Sequence, residues 1–281
     1  MKIGICASPK KANSPTYIGP IVSLLRKAGA EVFIDNEVTN DHNLPLIDRS
    51  VPIDVIITLG GDGTLLYYRR KYEELPSVAF TAINLGGLGF MADVQVNEID
   101  AYLRDLAQGK YTIEERIILE GKKPDGSLLT AANDFVLHRS SNPSMILLKV
   151  TINGDHFNTF QADGLIVSTP TGSSGYSLAC GGPLMHPRLK AFVLTTISAH
   201  TLTNRPFVIP DDSAIRVEYI SDSDKSIDVT VDGIDSFPIK NGNIVELFAA
   251  KKPFRIIHYN RHNFYETVRH KLHWKGTSIL C

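Results

Sequence analysis

Apolar and polar positions in the first 110 residues follow two alternating periods. Apolar runs typical of buried strands occupy residues 3–6, 31–34, 55–59 and 78–83. Between these runs, residues 17–28 carry apolar side chains at helical spacing and residues 64–72 can supply a second helix. Asn97 is placed to cap a further helix that ends near Gly109. Strands that alternate with helices are typical of a parallel sheet covered by helices. The pattern therefore predicts a Rossmann-like parallel α/β domain at residues 1–110.

The pattern changes after residue 110 to short strand-like runs separated by turn-forming residues. These turns include Pro124-Asp125-Gly126, Asn153-Gly154, Asp232-Gly233 and Asn241-Gly242. Runs of this kind, up to 254–259, predict a larger, mostly antiparallel β-rich domain at residues 111–259. Helical spacing returns at 263–274, so residues 260–281 are expected to form a helical tail that packs on the first domain. The predicted fold class is α/β plus mostly antiparallel β.

Composition excludes several classes of partner and adds few constraints of its own. The 281 residues carry a net charge of -1 without long basic runs, which disfavours binding to nucleic acid. The sequence shows neither a signal peptide nor an apolar stretch of about 18 residues, so we expect a cytoplasmic protein without a membrane partner. Cys6, Cys180 and Cys281 are far apart and lack metal-ligand spacing, so neither a disulfide framework nor a zinc site is indicated.

The first candidate site is the turn Gly60-Gly61-Asp62-Gly63-Thr64, which follows the apolar run 55–59. Glycines at the carboxyl end of a parallel strand allow main-chain N–H groups to approach phosphate, and the following helix directs its positive end there. Gly60, Gly61, Gly63 and Thr64 are therefore predicted to bind phosphate. A carboxylate weakens simple anion binding, so Asp62 is better suited to act on a hydroxyl or a metal ion. The alternative is an ordinary glycine-rich turn.

Two further stretches repeat this arrangement. Residues 84–90 again place glycines after an apolar run, at what should be the same edge of the sheet. Residues 161–183 place a polar stretch rich in Ser, Thr and Gly between the strand-like run 165–167 and the helix-compatible run 176–179. A surface loop remains possible from composition alone, but the flanking elements favour a second ligand-binding turn.

These stretches together resemble the NAD kinase family over nearly the whole chain. The resemblance rests on residues 60–64, 84–90, 133–134 and 163–183, with His200-Thr201-Leu202, Arg205-Pro206, Asp232-Gly233 and the closing Lys271-Leu272-His273-Trp274 in agreement. Residues 60–64 alone also resemble lipid kinases related to diacylglycerol kinase and phosphofructokinases. The long motif at 163–183 separates the NAD kinases from both.

The resemblance implies that the chain transfers the γ-phosphoryl of ATP, or in some members polyphosphate, to the 2′-hydroxyl of the adenosine ribose of NAD. It implies that Asp62 is the proton acceptor in an active site between the two domains, that Mg²⁺ is carried by the nucleotide phosphates, and that the protein is a homodimer or homotetramer. The implied NAD-binding residues are Asp62, Gly63, Phe90, Asn133, Asp134, Gln161, Asp163, Ser174, Gly175, Tyr176, Ser177, Leu178, Ala179 and Ser198.

The chain departs from the family pattern at three of these positions. Asp134 stands where glutamate is usual, Gly175 where alanine is usual, and Ala179 where serine is common. Two other functions use the same features: a lipid kinase, and a module that binds NAD without converting it. The first would need an acyl-binding surface, and the second would make Asp62 dispensable. His200 is expected to be structural, because the chemistry already has a proton acceptor.

Overall fold

A computed structural model describes residues 1–8, 14–38, 43–87, 89–201, 203–259 and 263–274. The chain divides into two compact units of about the same length, Met1–Glu114 with Arg255–Cys281, and Glu115–Phe254. Within the part of the chain that is described, no helix is long and apolar enough to cross a membrane. Leu88, Leu202 and Cys281 lie outside the described residues.

The first unit is built around a largely parallel sheet. Its strands are β1 (Lys2–Ala7), β2 (Glu31–Ile34), β3 (Val55–Leu59), β4 (Ala79–Asn84), β5 (Val94–Gln95) and β6 (Thr112–Arg116), joined by a late strand described below. Its helices are α1 (Ser14–Lys27), α2 (Asp62–Lys71) and α3 (Ile99–Ala107). The strands β2, β1, β3 and β4 are consecutive neighbours, all paired in parallel. This arrangement confirms the predicted parallel α/β class and brings the carboxyl ends of β3 and β4 side by side.

The two faces of this sheet are buried differently. Apolar residues of α1 and α3, including Leu25 and Leu103, form one cluster with alternate strand residues such as Ile5 and Ile57. The intervening residues, such as Cys6, point to the opposite face because side chains alternate along a strand. Cys6 is fully buried there, and the pKa of its thiol is raised by burial and then by Asp35.

The second unit is a sandwich of two antiparallel sheets. Its strands are β7 (Leu119–Lys122), β8 (Leu128–Ala131), β9 (Asp134–His138), β10 (Ile146–Ile152), β11 (Asp155–Ala162), β12 (Gly164–Ser168), β13 (Ala191–Ile197), β14 (Phe207–Pro210), β15 (Ile215–Ile220), β16 (Ile227–Val231), β17 (Asp235–Ile239) and β18 (Ile244–Ala249). One sheet has the order β11-β10-β15-β18-β7-β8 and the other β14-β13-β12-β9-β16-β17. Inward-facing residues of both, among them Phe135, Leu165 and Val217, form one apolar core. The antiparallel prediction is therefore confirmed.

The last elements are β19 (Phe254–His258) and α5 (Phe264–Lys271), with the short α4 (Tyr176–Ala179) lying after β12. The sequence pattern placed residues 254–259 among the hairpins, but β19 pairs in parallel with β4. The chain thus returns to the first unit, and the expected C-terminal helix follows as α5. The local sequence pattern does not distinguish a strand of the antiparallel sandwich from a strand of the parallel sheet, because a short apolar strand fits either kind of sheet.

Turn signals were correct where the following strand paired with the preceding one. Asn153-Gly154 joins β10 to β11, and Asp232-Gly233 joins β16 to β17, as antiparallel neighbours. Asn241-Gly242 instead connects β17 to β18, which belong to different sheets. A turn sequence therefore predicts the reversal of the chain, whereas the strand pairing depends on the core.

Asn97 does not cap α3, contrary to the prediction. It lies within a 3₁₀ turn, and a capping box is formed by Gln95 and Glu98.

Candidate functional site

Asp62 lies where β3 passes through its glycine turn into α2. Gly61 is the N-cap residue of α2, and Asp62 is in the first turn, where a negative charge is favourable. Arg69, Arg70 and Lys71 occupy the last turn, so the helix has complementary charges at both ends. The side chain of Asp62 is 25% exposed. The acid singled out from the sequence is therefore accessible at the carboxyl edge of the parallel sheet.

The carboxylate of Asp62 accepts hydrogen bonds from the loop that follows β4. Its Oδ2 accepts from the N–H of Phe90 at 2.8 Å, and its Oδ1 accepts from the N–H groups of Met91 at 3.0 Å and Ala92 at 2.7 Å. These bonds join the turn after β3 to the loop after β4. Asp62 consequently has a structural role in addition to any chemical one, because hydrogen bonds to a charged acceptor are the stronger kind.

The glycine turn itself divides into internal and open positions. The N–H groups of Gly60 and Thr64 donate to the carbonyls of Ile83 at 2.9 Å and Gly61 at 3.0 Å. A Cβ atom at Gly60 would lie 2.3 Å from Oγ1 of Thr64, so this turn requires glycine. In contrast, no atom of the described residues lies within 4 Å of a Cβ built at Gly61 or Gly63. The main chain at these two positions can be approached closely by a ligand.

Lys271, for which the sequence predicts no role, also lies near Asp62. Its Nζ atom lies 4.0 Å from Oδ2 of Asp62 and 4.9 Å from the ring centroid of Phe90. Its signal in the sequence is its place in the closing motif at 271–274, but spacing alone does not place Lys271 beside Asp62. The structure thus adds a cation to the acid and the aromatic ring.

A second acid at this sheet edge is sequestered. Asp35 follows β2, a position where dinucleotide-binding sheets often carry an acid that binds ribose. Here Asp35 is fully buried and bonded to the hydroxyls of Tyr68 and Tyr72 and, at 2.8 Å, to Nζ of Lys71. Burial and then the charge of Asp35 raise the pKa of Tyr68. Asp35 therefore stabilises the packing of α2 on the sheet.

The second cluster lies in the sandwich, where β9 begins and β12 ends. The carboxylate of Asp232 accepts hydrogen bonds from the N–H groups of Ala132, Asn133 and Asp134, at 2.8, 2.7 and 3.1 Å. These bonds hold the main chain before β9, while the Oδ1 atom of Asn133 is buried with no hydrogen-bond partner among the described residues. A buried acceptor of this kind is costly unless something else completes it.

Asp134 is nearly inaccessible and lies next to another acid. It is 6% exposed, and burial, followed by the charge of Asp232, raises its pKa to about 7. Alternation along β9 places Asp134 on the face opposite Phe135, outside the sandwich core. The side chain is thus partly protonated near neutral pH, and its charge contributes to the raised pKa of Tyr176 in the segment that follows β12.

The residues after β12 form a loop whose hydroxyls are mostly used internally. Ser168 donates to the carbonyl of Asn133, Thr169 to that of Ala132 and Ser173 to that of Pro170, and the hydroxyl of Ser177 bonds with that of Thr195 at 2.9 Å. All four are fully buried. The residues left exposed are Gly175, Tyr176 and Ala179, with Ser174 and Leu178 half-buried. The hydroxyl groups of this motif therefore mainly stabilise the loop.

Other predicted NAD-binding residues lie at the far end of β12. Asp163 precedes the strand and pairs with Nε of Arg139 at 3.1 Å, while Gln161 and Ser198 are exposed nearby, on β11 and after β13. The five residues of β12 separate this group from Asn133 by about 16 Å. Burial raises the pKa of Tyr176, with smaller contributions from Cys180, Asp134 and Asp163. Tyr176 is thus within electrostatic reach of both groups.

Dedicated metal ligation is not evident in either cluster. Among the described residues, no group of three or more His, Cys, Asp or Glu side chains is arranged to hold a metal ion. Asp62 is bonded to main-chain N–H groups, and Asp134 is buried beside Asp232. The side chains of both clusters can form hydrogen bonds, transfer protons and stabilise charge.

The fold and the two clusters define the class of the protein: a parallel α/β unit with an acid in its glycine turn, and a β-sandwich with a second glycine-rich loop. Sequence models described as the ATP-NAD kinase N-terminal domain and the ATP-NAD kinase C-terminal domain match residues 3–111 and 132–259. The chain belongs to the NAD kinase family and is an enzyme of the kinase class.

Relatives agree with this assignment, and solved structures share the fold. The chain is 42% identical to the NAD kinase of Protochlamydia amoebophila, over 97% of this chain and 98% of that protein, and 35% identical to that of Saccharophagus degradans, over 99% and 98%. Its fold is similar to yeast NADH kinase complexed with NADH, at a TM-score of 0.88 with 23% identity over 100% of this chain and 90% of that one. It is also similar to an NAD kinase from Archaeoglobus fulgidus in complex with ATP, at 0.78 with 22% identity over 96% and 99%.

Proposed function

We propose that this enzyme transfers the γ-phosphoryl of ATP to the 2′-hydroxyl of the adenosine ribose of NAD, giving NADP and ADP. Family membership supports the reaction, and the structural relatives carry NADH in one case and ATP in the other. The observation that carries the proposal is the position of Asp62, a partly exposed carboxylate in the first turn of α2, between glycines open to a ligand.

Asp62 is proposed to orient the ribose hydroxyl and take its proton. A carboxylate is too weak a base to deprotonate a sugar hydroxyl in advance. Phosphoryl transfer depends mainly on alignment and charge stabilisation, so the proton can pass to Asp62 as the new P–O bond forms. Oδ2 accepts one main-chain hydrogen bond, from Phe90, whereas Oδ1 accepts two. Oδ2 is therefore the oxygen proposed to face the hydroxyl.

The donor phosphates are proposed to lie against the open main chain of Gly61 and Gly63, at the positive end of α2. Gly60 and Thr64 are proposed to serve the phosphates by fixing the shape of the turn, since their N–H groups donate internally. Mg²⁺ is proposed to arrive bound to the phosphates of ATP, where it neutralises their charge.

The dinucleotide is proposed to bind at the loop after β12. The buried Oδ1 atom of Asn133 supplies an acceptor for a ligand donor, and the exposed ring of Tyr176 supplies a stacking surface. Ser174, Gly175, Leu178 and Ala179 line the same exposed side. Ser177 and Asp134, whose side chains are buried, are proposed to act by positioning this loop.

We propose that the dinucleotide bound by one copy of the chain is contacted by Gln161, Asp163 and Ser198 of a second copy in an oligomer. They lie about 16 Å from Asn133 along β12, so a second copy of the chain can supply one group while the first supplies the other. A homodimer or homotetramer is expected. Measuring the molecular mass in solution, with and without NAD, tests this point, and a monomer under both conditions contradicts it.

The reaction is tested by incubating the protein with NAD and MgATP and measuring NADP with an NADP-specific dehydrogenase. Asp62→Asn should lower kcat by roughly 10²- to 10⁴-fold, the range for a lost general base. Asp100→Asn, which removes an exposed acid of α3, is the matched control. Because Asp62 also holds the loop at Phe90, thermal unfolding and NAD affinity are measured in parallel.

Four results contradict the proposal in different ways, one of them in a parallel assay with diacylglycerol vesicles and MgATP. Wild-type protein that binds NAD but forms no NADP is a dinucleotide-binding module. Phosphorylation of a diacylglycerol in vesicles without phosphorylation of NAD indicates a lipid kinase. Asp62→Asn with wild-type turnover leaves the reaction intact and removes Asp62 as proton acceptor, whereas a large loss of NAD affinity reassigns it as a binding residue.

A further inference from the structure

We propose that Lys271 binds the phosphate chain of the phosphoryl donor beside Asp62, and that it compensates the charge of the carboxylate during transfer. The inference rests on the proposed reaction and adds to it a residue of the last helix. Lys271 ends α5, and its ammonium lies 4.0 Å from Oδ2 of Asp62, the oxygen proposed to face the ribose hydroxyl.

An acid at a phosphate site creates an electrostatic problem. A carboxylate within about 4–6 Å of donor phosphates disfavours their binding, because like charges repel strongly where water is partly excluded. The hydrogen bonds that Asp62 accepts from Phe90, Met91 and Ala92 come from neutral N–H groups and leave its full negative charge in place. The ammonium of Lys271 offsets that charge on the side of Oδ2.

The geometry leaves the ammonium able to bind a second anion. At 4.0 Å, Nζ of Lys271 is too far from Oδ2 of Asp62 for a hydrogen bond, so the carboxylate does not use its donors. The side chain is 32% exposed. Because the neighbouring acid takes none of its hydrogen bonds, the ammonium can donate to a phosphate oxygen without leaving Asp62.

The position of Lys271 is fixed by the fold and does not depend on the ion pair alone. Its Nζ lies 4.9 Å from the ring centroid of Phe90, a distance typical of a cation–π contact. The N–H of Phe90 donates to the same Oδ2 atom of Asp62. Upstream in α5, Thr267 and Val268 are buried and Asn263 caps the helix. Acid, ring and cation are thus held as one group.

The donor is the ligand that best fits this cation. The group transferred to a hydroxyl held by Asp62 is itself a phosphoryl, and charge on its equatorial oxygens must be stabilised in the transition state. Lysine provides a compact positive charge suited to a phosphate chain. Removal of the charge should therefore affect the parameters for ATP more than those for NAD.

The experiment compares Lys271→Met, Lys271→Gln and Lys271→Arg with Arg269→Met, a cation of the same helix that pairs with Glu266. NADP formation is measured with ATP varied at saturating NAD, and the reverse. Lys271→Met and Lys271→Gln should each lower kcat/KM for ATP by about 10²-fold and change KM for NAD by less than about threefold. For Lys271→Arg, kcat/KM for ATP should lie within about tenfold of the wild-type value. For Arg269→Met it should lie within about twofold.

A binding measurement separates this inference from the proposed reaction. In an Asp62→Asn background, calorimetric titration with MgATP should show weaker binding when Lys271 is also changed to Met, and thermal unfolding verifies that each variant is folded. Unchanged kcat/KM for ATP in both neutral variants, or a loss confined to NAD, overturns the role of Lys271. Wild-type protein that forms no NADP overturns the reaction instead, whatever Lys271 does to MgATP binding.

Discussion

The carboxylate of Asp62 and the α-carbon of Gly89 are so close that no side chain fits between them. A Cβ atom at position 89 would lie 2.3 Å from Oδ1 of Asp62 and 2.8 Å from the carbonyl oxygen of Ala92. The N–H of Gly89 donates to the same carbonyl at 3.0 Å. The glycine thus allows the loop after β4 to fold directly onto the acid.

Gly89→Ala should therefore impair catalysis by displacing Asp62. The added methyl group meets a carboxylate oxygen and a main-chain carbonyl, and overpacking of this kind costs about 1–3 kcal/mol in stability. We expect kcat to fall by roughly 10- to 100-fold, since small displacements of a reacting group are costly. Gly87→Ala is the matched control, because no described atom lies within 4 Å of a Cβ there. Equal turnover in the two variants would show that the loop relaxes around the methyl group.

Asn133→Ala should weaken NAD binding without destabilising the protein. Its Oδ1 atom is buried without a partner among the described residues, so the substitution removes an unsatisfied group. We expect KM for NAD to rise by about tenfold or more, and the free energy of unfolding to stay within about 0.5 kcal/mol of wild type or to increase.

Thr195→Val provides the contrasting case in the same unit. It removes the hydroxyl that bonds with Ser177, and both residues are buried. We expect a loss of about 1–3 kcal/mol in urea unfolding, because Ser177 is left without its partner. If Asn133→Ala instead loses stability and keeps its KM for NAD, the amide is structural.

The stability of the enzyme should depend on pH through Asp134. Its folded-state pKa is raised to about 7, by burial and by Asp232, whereas an unfolded aspartate titrates near 3.9. Between these values the folded state binds more protons than the unfolded state, so this group makes stability fall as pH rises from about 4 to 7. Below about pH 4 Asp134 is protonated in both the folded and the unfolded state, so its favourable contribution to stability is fully present there.

Asp134→Asn removes this titration and keeps the shape of the side chain. The variant should gain stability relative to wild type, and the gain should be larger at pH 8 than at pH 5 by roughly 2–3 kcal/mol. Urea unfolding at both pH values measures it, with Asp155→Asn, an exposed acid of β11, as control. The same difference at both pH values would mean that Asp134 remains ionised throughout.

The sequence contained enough information to predict the elements and the chemical groups. Apolar runs of the kind at 55–59 predicted strands, and the glycines around Asp62 indicated a turn that a ligand could approach. The long motif at 163–183 marked the second loop and, with the first, the family. These features are local: each depends on residues close together in the chain, whose spacing is visible directly.

Tertiary structure decided which of these residues meet. Lys271 reaches Asp62 across more than 200 positions because β19 returns to the parallel sheet. Asp35 is hydrogen-bonded to Tyr68 and Tyr72 and paired with Lys71, although its place after β2 is typical of a ribose-binding acid. Neither contact has a signature in spacing, because both depend on how helices pack against a completed sheet.

The hydroxyls of the second loop show the same division most clearly. Their density indicated a binding loop, yet Ser168, Thr169, Ser173 and Ser177 bond within the protein, and the exposed positions are Gly175, Tyr176 and Ala179. By itself, the sequence determined which donors and acceptors are present and at which turns they lie. Only the fold decided which of them are buried, since burial depends on residues brought together from β9, β12 and β13, and buried polar groups must find partners there.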